Sequence, residues 1–173
     1  EYSPQPVKAP LVGMLQEIES MARHSDVKVI ACERSQVPAD IREELKLDGG
    51  TKALHLVRVR VRDDQAFGFY DSWTTGLNDD IEASDLENTP RLEIFRKQGL
   101  DITHVTQTIS AVAATDELAK ALDTEVGAPL ISLIRRSFDN SSGEEVLVDY
   151  LQVYYHPERF QYRMDLEMDE VNP

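Results

Sequence analysis

The chain has 173 residues, of which 41% are hydrophobic and 29% are charged, values that fit one globular domain and exclude a disordered or fibrous protein. With 18 Lys and Arg against 32 Asp and Glu, the formal net charge is −14, so we expect a nucleic-acid backbone to repel the chain. No apolar run is long enough to span a membrane, and no signal peptide is visible. Because the single cysteine, Cys32, also excludes an internal disulfide, these features predict a cytoplasmic domain without a membrane partner.

The first half of the chain alternates predicted strands with short helices. Residues 1–10 are spaced by prolines, and an amphipathic helix is predicted over 10–23, where Leu11, Leu15 and Ile18 recur at i, i+4 and i+7. The next predicted elements are a strand over 27–32, a helix from Pro38 through Lys46, and a hairpin of strands 53–62 and 66–75 around Asp63-Asp64. An acidic connection over 79–87 and a helix from Thr89-Pro90 to about Gln98, stopped by Gly99, complete this half.

The second half repeats this order. Its predicted elements are a strand over 102–113, a helix capped by Thr115 and ended by Gly127, and a hairpin of strands 129–138 and 146–155 across residues 140–143. Corresponding positions lie about 77 residues apart, as Leu54 and Arg58 correspond to Leu130 and Arg135. The pattern predicts an α+β fold in which a pseudo-duplicated antiparallel sheet is flanked by helices.

Arginines and valines alternate along the predicted strand over 53–62. Val57, Val59 and Val61 fall on one face, and Arg58, Arg60 and Arg62 fall on the other. In so acidic a chain, this row of arginines is typical of a carboxylate or phosphate site, because a guanidinium binds such groups through two parallel hydrogen bonds. The alternative is a solvated face whose arginines pair with Asp or Glu of a neighbouring strand.

The partner strand of the hairpin offers two sets of side chains to the arginines. Tyr70 and Ser72 lie on one face, and Phe69, Asp71 and Trp73 lie on the other. The alternation alone does not decide which set shares the arginine side.

Two further positions are candidates for ligand contact. Thr89 places a hydroxyl and free backbone N–H groups at a predicted helix start, where an anion binds, although a plain N-cap has the same appearance. Asp149 shares a strand face with Leu147 and Leu151, and a carboxylate in apolar surroundings needs a partner. That partner is either a ligand hydroxyl or an arginine of the core.

The sequence carries no catalytic or metal-binding signature. The histidines, at positions 24, 55, 104 and 156, lack the spacing of metal ligands. A nucleophile elbow, a phosphate-binding loop and a dinucleotide fingerprint are also lacking. We therefore expect no enzymatic activity, no metal and no cofactor.

Taken together, these segments resemble the UTRA domain, the effector-binding module of GntR-type transcription regulators of the HutC subfamily. The likeness covers about residues 11–167, and its most specific stretch runs from Val148 to Arg163. That stretch is similar to the family's closing strand and its Tyr-x-x-(Asp/Glu)-Arg-(Tyr/Phe) signature. The segments Val37-Pro38-Ala39, Gln107-Thr108-Ile109 and Arg58-Val59-Arg60 match as well.

The resemblance implies a fold similar to chorismate lyase, a homodimer, and a small anionic metabolite as the effector. It implies that residues 1–10 are the linker after an absent winged-helix DNA-binding domain and that residues 11–173 form the effector-binding domain. The residues that it assigns to the ligand are Arg58, Arg60 and Thr89 for the anion, and Tyr70, Asp149 and Tyr155 for the rest of the molecule. Because Tyr70 stands where sugar-phosphate binders carry Glu, we expect an organic acid or another anion instead.

Three functions remain open at this point. The leading hypothesis is a transcription regulator, a repressor or an activator, whose effector shifts the equilibrium between two dimer arrangements. The alternative is a chorismate-lyase-like enzyme that holds an aromatic carboxylate with the same arginines. The third is a pure dimerisation domain, which requires the arginines to be satisfied within the protein.

Overall fold

A computed structural model describes residues 24–78 and 80–161 without interruption, together with residues 2–6, 8, 11, 16, 20, 21, 163, 165, 167 and 168. The helix predicted over 10–23 lies mostly outside the described residues, as do Leu15 and Ile18 of its apolar face. No helix in the described part of the chain is long and apolar enough to cross a membrane.

Strands and short helices alternate between residues 26 and 155. The first half contains β1 (Asp26–Gln36), α1 (Ala39–Glu44), β2 (Lys52–Arg62), β3 (Gln65–Thr74), α2 (Ala83–Asn88) and α3 (Arg91–Lys97). The second half contains β4 (Ile102–Ala113), α4 (Asp116–Ala121), β5 (Pro129–Asp139) and β6 (Val146–Tyr155).

The strands form one six-stranded antiparallel sheet in the order β1-β2-β3-β6-β5-β4. The three strands of each half lie side by side, and the halves meet at the centre, where β3 pairs with β6. Pro129 begins β5, 77 residues after Lys52 begins β2. The predicted α+β class is confirmed, and the strand order shows the duplication that the spacing indicated.

The β2–β3 hairpin turns at Asp63 and Asp64, whose φ values of 51° and 60° are those of a two-residue type I′ turn. Arg62 and Gln65 pair on either side of it. Aspartate enters this left-handed region more readily than most residues, because its short polar side chain bonds locally. The hairpin predicted around these two residues is confirmed.

Helices cover both faces of the sheet, which we call the valine face and the arginine face after the alternation along β2. On the valine face, one apolar cluster joins Val57, Val59 and Phe69 to Leu118 and Leu122, and another joins Trp73 and Tyr150 to Ile41 and Leu45. On the arginine side, Leu54 and Leu56 belong to clusters with Leu86, Ile94 and Phe95 of α2 and α3. Helices α2 and α3 therefore cover the part of the arginine face where Leu54 and Leu56 lie.

Two predicted boundaries were wrong. The acidic connection over 79–87 contains a helix, α2, whose start is stabilised by reciprocal side-chain bonds between Glu82 and Asp85 and each other's backbone. The α4 helix begins as predicted, since the Thr115 hydroxyl accepts a hydrogen bond from the Leu118 N–H at 3.3 Å. It ends at Ala121, however, and Gly127 lies beyond it, where its N–H bonds back to Ala114 at 2.8 Å.

Candidate ligand-binding site

The register of the sheet gathers five of the predicted ligand residues on the arginine face. Arg58 pairs with Tyr70, and Arg60 pairs with Gly68, which in turn pairs with Tyr155 on β6. Asp149 pairs with Thr74 at the other end of the same face. Tyr70, Ser72 and Thr74 thus share the side of the arginines, which the alternation along β3 had left open.

The alternate residues of β3, Asp71 and Trp73 among them, lie on the valine face. Asp71 lies 2.8 Å from the Nε2 atom of His55, whose ring stacks on Trp73 with centroids 4.0 Å apart. These side chains have their own partners and take no part in the arginine face.

Arg58 is a buried cation with an unpaired donor. The residue is 5% exposed, its guanidinium lies 5.1 Å from the Tyr70 ring centroid, and its Nε atom has no hydrogen-bond partner among the described residues. Burial, followed by the positive charges of Arg91 and Arg60, lowers the pKa of Arg58 to about 9. At neutral pH the group is still charged, and an anion beside it would relieve both effects.

Arg60 connects the face to the segment that precedes β1. It is 8% exposed, and its Nη1 atom donates a hydrogen bond to the Ser25 hydroxyl at 3.1 Å. The Ser25 hydroxyl in turn donates to the Met21 carbonyl at 2.7 Å. A ligand that binds this guanidinium therefore competes directly with Ser25.

Tyr70 and Tyr155 form the aromatic end of the site. Their hydroxyl oxygens are 3.1 Å apart, and their rings meet edge to face with centroids at 5.8 Å. The Tyr70 hydroxyl also lies 3.3 Å from the Met21 sulfur, and the Tyr155 ring stacks on Phe160 at 3.8 Å. Burial and the neighbouring Tyr70 raise the pKa of Tyr155, so this hydroxyl stays neutral and can donate a hydrogen bond.

Gly68 makes room for the two tyrosine rings. A Cβ atom at this position would lie 2.8 Å from the ring of Tyr70 and 3.2 Å from the ring of Tyr155. The close approach explains why a glycine lies in the middle of a strand, where it otherwise weakens the sheet.

Asp149 is fully buried at the opposite end and has one oxygen free. Its Oδ1 atom accepts hydrogen bonds from Arg91 Nη1 and from the Thr74 hydroxyl, both at 2.6 Å. Among the described residues its Oδ2 atom has no partner, and the hydroxyl of Ser137, the residue paired with Asp149 on β5, has none either. Unpaired polar atoms in a protein interior cost free energy, so a hydrogen bond from a ligand would stabilise them.

Sequence reasoning missed two arginines of this face. Arg91, the first residue of α3, is 9% exposed and reaches the sheet through its ion pair with Asp149. Arg135 lies on β5, and its Nε atom donates to Gln107 at 2.9 Å. Burial and the charge of Arg91 lower the pKa of Arg135. Its correspondence with Arg58 in the repeat was the signal that could have identified it.

Thr89 lies just before helix α3. It precedes Pro90, the N-cap residue of α3, which forms no side-chain cap. It lines a cleft whose other described residues are Asp80, Ile81, Asp85, Ile94, Lys97 and Gln98. A contact of Thr89 with the same anion as Arg58 and Arg60 stays a prediction.

Arg62 departs from the row. The pairing of β2 with β3 shifts between Arg60 and Val61, and beyond this bulge the Arg62 side chain is exposed. It donates to the Arg159 carbonyl at 2.7 Å and lies 4.9 Å from the Phe67 ring centroid. No group of three or more His, Cys, Asp or Glu is placed to hold a metal ion within the described ranges.

Comparison with known proteins places the chain among regulatory domains. A family model described as the UTRA domain matches residues 20–161. A solved structure from Streptomyces coelicolor, assigned as a transcriptional regulator, is 25% identical with a TM-score of 0.72, covering 79% of this chain and 89% of that one. A search of curated protein sequences finds no match.

Two further solved structures share the fold at lower identity. The ligand-binding domain of a GntR-family regulator from Bordetella bronchiseptica is 22% identical with a TM-score of 0.73, covering 83% of this chain and 91% of that one. The C-terminal domain of the histidine utilization repressor from Pseudomonas syringae is 16% identical with a TM-score of 0.68, covering 83% and 99%.

Proposed function

The chain belongs to the family of UTRA domains, the effector-binding domains of GntR-family transcription regulators, and we propose that it senses a small anionic metabolite on behalf of a DNA-binding domain. Domains of this family are regulatory and are not enzymes, so the chorismate-lyase-like alternative is set aside. With a net charge of −14 the domain does not contact DNA itself. In this proposal a winged helix precedes residues 1–10, which act as the linker.

The observation that carries the ligand assignment is the buried Nε atom of Arg58, which has no hydrogen-bond partner. A domain whose purpose is dimerisation alone would satisfy its buried arginines internally, because a buried cation without a partner is costly. The free Oδ2 atom of Asp149 on the same face supports the same assignment. Arg58, Arg60, Tyr70, Asp149 and Tyr155 are therefore proposed to contact the effector.

The contacts of Arg60 with Ser25 and of Tyr70 with Met21 link the proposed ligand site to the segment before β1. Through this segment a bound ligand could alter DNA binding. Both side chains face the proposed ligand and also touch Ser25 or Met21. A ligand that replaces these contacts changes the position of the segment leading to the linker. The effector acts only through unequal affinity for the two arrangements, and about 1–3 kcal/mol of coupling is typical.

We also propose that the domain forms a homodimer through β4. This strand lies at one edge of the sheet and carries no Lys, Arg, Asp or Glu. Its Ile109 is 60% exposed. Natural edge strands are usually protected by charges or prolines, as β1 at the other edge is by Lys28 and Glu33. The chain as a whole is acidic, but β4 carries no charge that would repel a second copy of itself. A second copy of β4 is therefore the partner that fits this edge.

The test of this function begins with a thermal-shift screen of small organic acids and sugar phosphates. A true effector raises the melting temperature, and it also changes the operator affinity of the longer protein that carries the DNA-binding domain. A screen without any stabilising anion, combined with DNA affinity that no anion alters, would reject the proposal.

A further inference from the structure

The arginine face draws its cations from both halves of the sheet. Arg58 and Arg60 come from β2 in the first half, and Arg135 comes from β5 in the second. Positions 58 and 135 correspond in the repeat, so the duplication places one arginine on each side of the central β3–β6 pair. Arg91 on α3 is the common neighbour, since its charge acts on the pKa of both Arg58 and Arg135.

The charges on this face do not balance. Four arginines contribute, and the described residues place one carboxylate in contact with them, Asp149, which pairs with Arg91. Arg135 donates a hydrogen bond to the neutral amide of Gln107, and the Arg58 guanidinium lies against the ring of Tyr70. Arg58, Arg60 and Arg91 are buried and Arg135 is half-buried. A single negative charge from a ligand would still leave the face positive, and buried cations need more compensation than that.

The floor between the two sets of arginines is apolar on β6 and β5 and polar on β3, where Tyr70 and Ser72 lie. β2 and β5 are separated by β3 and β6, which is a distance of about 14 Å across three strand spacings. The β6 residues of this face between Asp149 and Tyr155 are Leu151 and Val153, exposed by 1% and 0%, and Leu133 of β5 lies beside Val153. Along β6 and β5 the floor offers hydrocarbon contact alone, which favours a ligand with an apolar spacer.

We propose that the effector is a dianion whose two acidic groups are separated by an apolar spacer, one group bound by Arg58 and Arg60 and the other by Arg135 and Arg91. This inference rests on the proposed effector-binding function and narrows it to a class of ligand. Arg91 uses one of its five N–H donors for Asp149, so the guanidinium keeps donors for a second acid group. Tyr70 and Tyr155 close the end of the site beyond the first group.

The test compares two ligand series on the unaltered chain by calorimetric titration at constant ionic strength. The dicarboxylates succinate, glutarate, adipate, pimelate and suberate are matched with monocarboxylates of the same carbon number. We expect one chain length to be optimal, and that dicarboxylate to bind about ten- to a hundredfold more tightly than its monocarboxylate, as for a second charge-assisted contact. Equal binding of the two series would overturn the proposal without any substitution.

Substitutions then locate the second acid group. Arg135→Gln should remove most of the advantage of the dicarboxylate and leave the monocarboxylate unchanged, and Arg135→Lys should restore part of it. Arg136→Gln is the matched control, because Arg136 points to the valine face, where it pairs with Glu44. If Arg135→Gln does not reduce dicarboxylate binding, or if Arg136→Gln reduces it as much, the proposal is wrong.

The outcomes separate this inference from the function on which it rests. A sugar phosphate or monocarboxylate that binds through Arg58, ignores Arg135 and alters DNA affinity would reject the dianion and keep the sensor. The absence of any anion binding would reject both.

Discussion

A guanidinium as buried as that of Arg58 loses most of its hydration when the protein folds. The surrounding protein replaces few of the lost interactions with water. The Tyr70 ring offers its negatively polarised face, which is worth about 2 kcal/mol at a desolvated site. The Nε donor has no acceptor among the described residues, and the positive charges of Arg91 and Arg60 repel the guanidinium. A ligand anion has more to gain here than at an arginine already paired with a carboxylate.

Arg58→Ala and Arg60→Ala should each weaken effector binding by about ten- to a hundredfold, because each removes a charge-assisted hydrogen bond from a desolvated site. Arg62→Ala is the control, since its side chain is exposed and bonds to the Arg159 carbonyl. Titration of the best acid from the screen measures the effect. If Arg62→Ala is as damaging as the other two, the arginines act through overall charge and the site is misplaced.

Gly68→Ala should disturb the tyrosine pair. The added methyl would lie 2.8 Å from the Tyr70 ring, and overpacking of this kind costs about 1–3 kcal/mol. The melting temperature should fall, and effector affinity should fall with it as both rings move. Gly49→Ala, which meets nothing within 4 Å, should change neither. An unaltered melting temperature for Gly68→Ala would show that the rings are free to shift.

The sequence predicted which residues share part of the arginine face and did not predict the rest of that face. Arg58 and Arg60 were predicted because a strict alternation along a strand places them on one face. Arg91 was not, because a helix residue reaches the sheet only through tertiary packing, which no local pattern records. The grouping of Thr89 with the arginines was expected from the helix start alone, and it stays a prediction, since Thr89 lines a cleft with Ile94 and Gln98.

At the scale of elements, regular alternation predicted the sheet better than it predicted the helices. The bounds of β4 and of both hairpins follow from turns and alternating residues, which are local signals. The α2 helix was missed because its six residues are mostly polar and show no apolar periodicity, while its Leu86 is buried by contacts with the sheet. The matching of faces between β2 and β3 also depended on the observed register.

Ser25→Ala should loosen the segment before β1. The serine hydroxyl joins Arg60 to the Met21 carbonyl, so its loss frees Arg60 Nη1 and leaves the carbonyl with the His24 N–H alone. In the unaltered chain, the effector should raise the rate of hydrogen exchange over residues 21–27 by displacing Ser25 from Arg60. In the variant, exchange should be fast already and should change little when the effector is added.

The control for this measurement is Ser142→Ala, in the β5–β6 hairpin at the opposite end of the strands from Ser25, where the Ser142 hydroxyl donates to the Glu144 carbonyl. An effector response of the same size in Ser25→Ala and in the unaltered chain would show that the segment moves by another route.

At the scale of the whole molecule, the exposed β4 edge predicts the oligomeric state. The chain should sediment at about twice its mass of 19.6 kDa at micromolar concentration. Ile109→Lys should give monomers, because a charge at the centre of an edge strand opposes pairing. Ile30→Lys, on the opposite edge, should leave the dimer intact although Ile30 is also exposed. The reverse pattern would place the interface on β1.

The junction of β3 with β6 has a thermodynamic consequence for the sensor. Pairs such as Asp71 with Gln152 join residues far apart in the chain, and Arg58 and Asp149 stand on opposite sides of that boundary. A ligand that contacts both acts as a non-covalent cross-link between the halves, present only in the folded state. At a hundred times its Kd such a ligand stabilises the fold by about 2.7 kcal/mol. The lifetime of the folded domain would then rise with the concentration of the bound ligand.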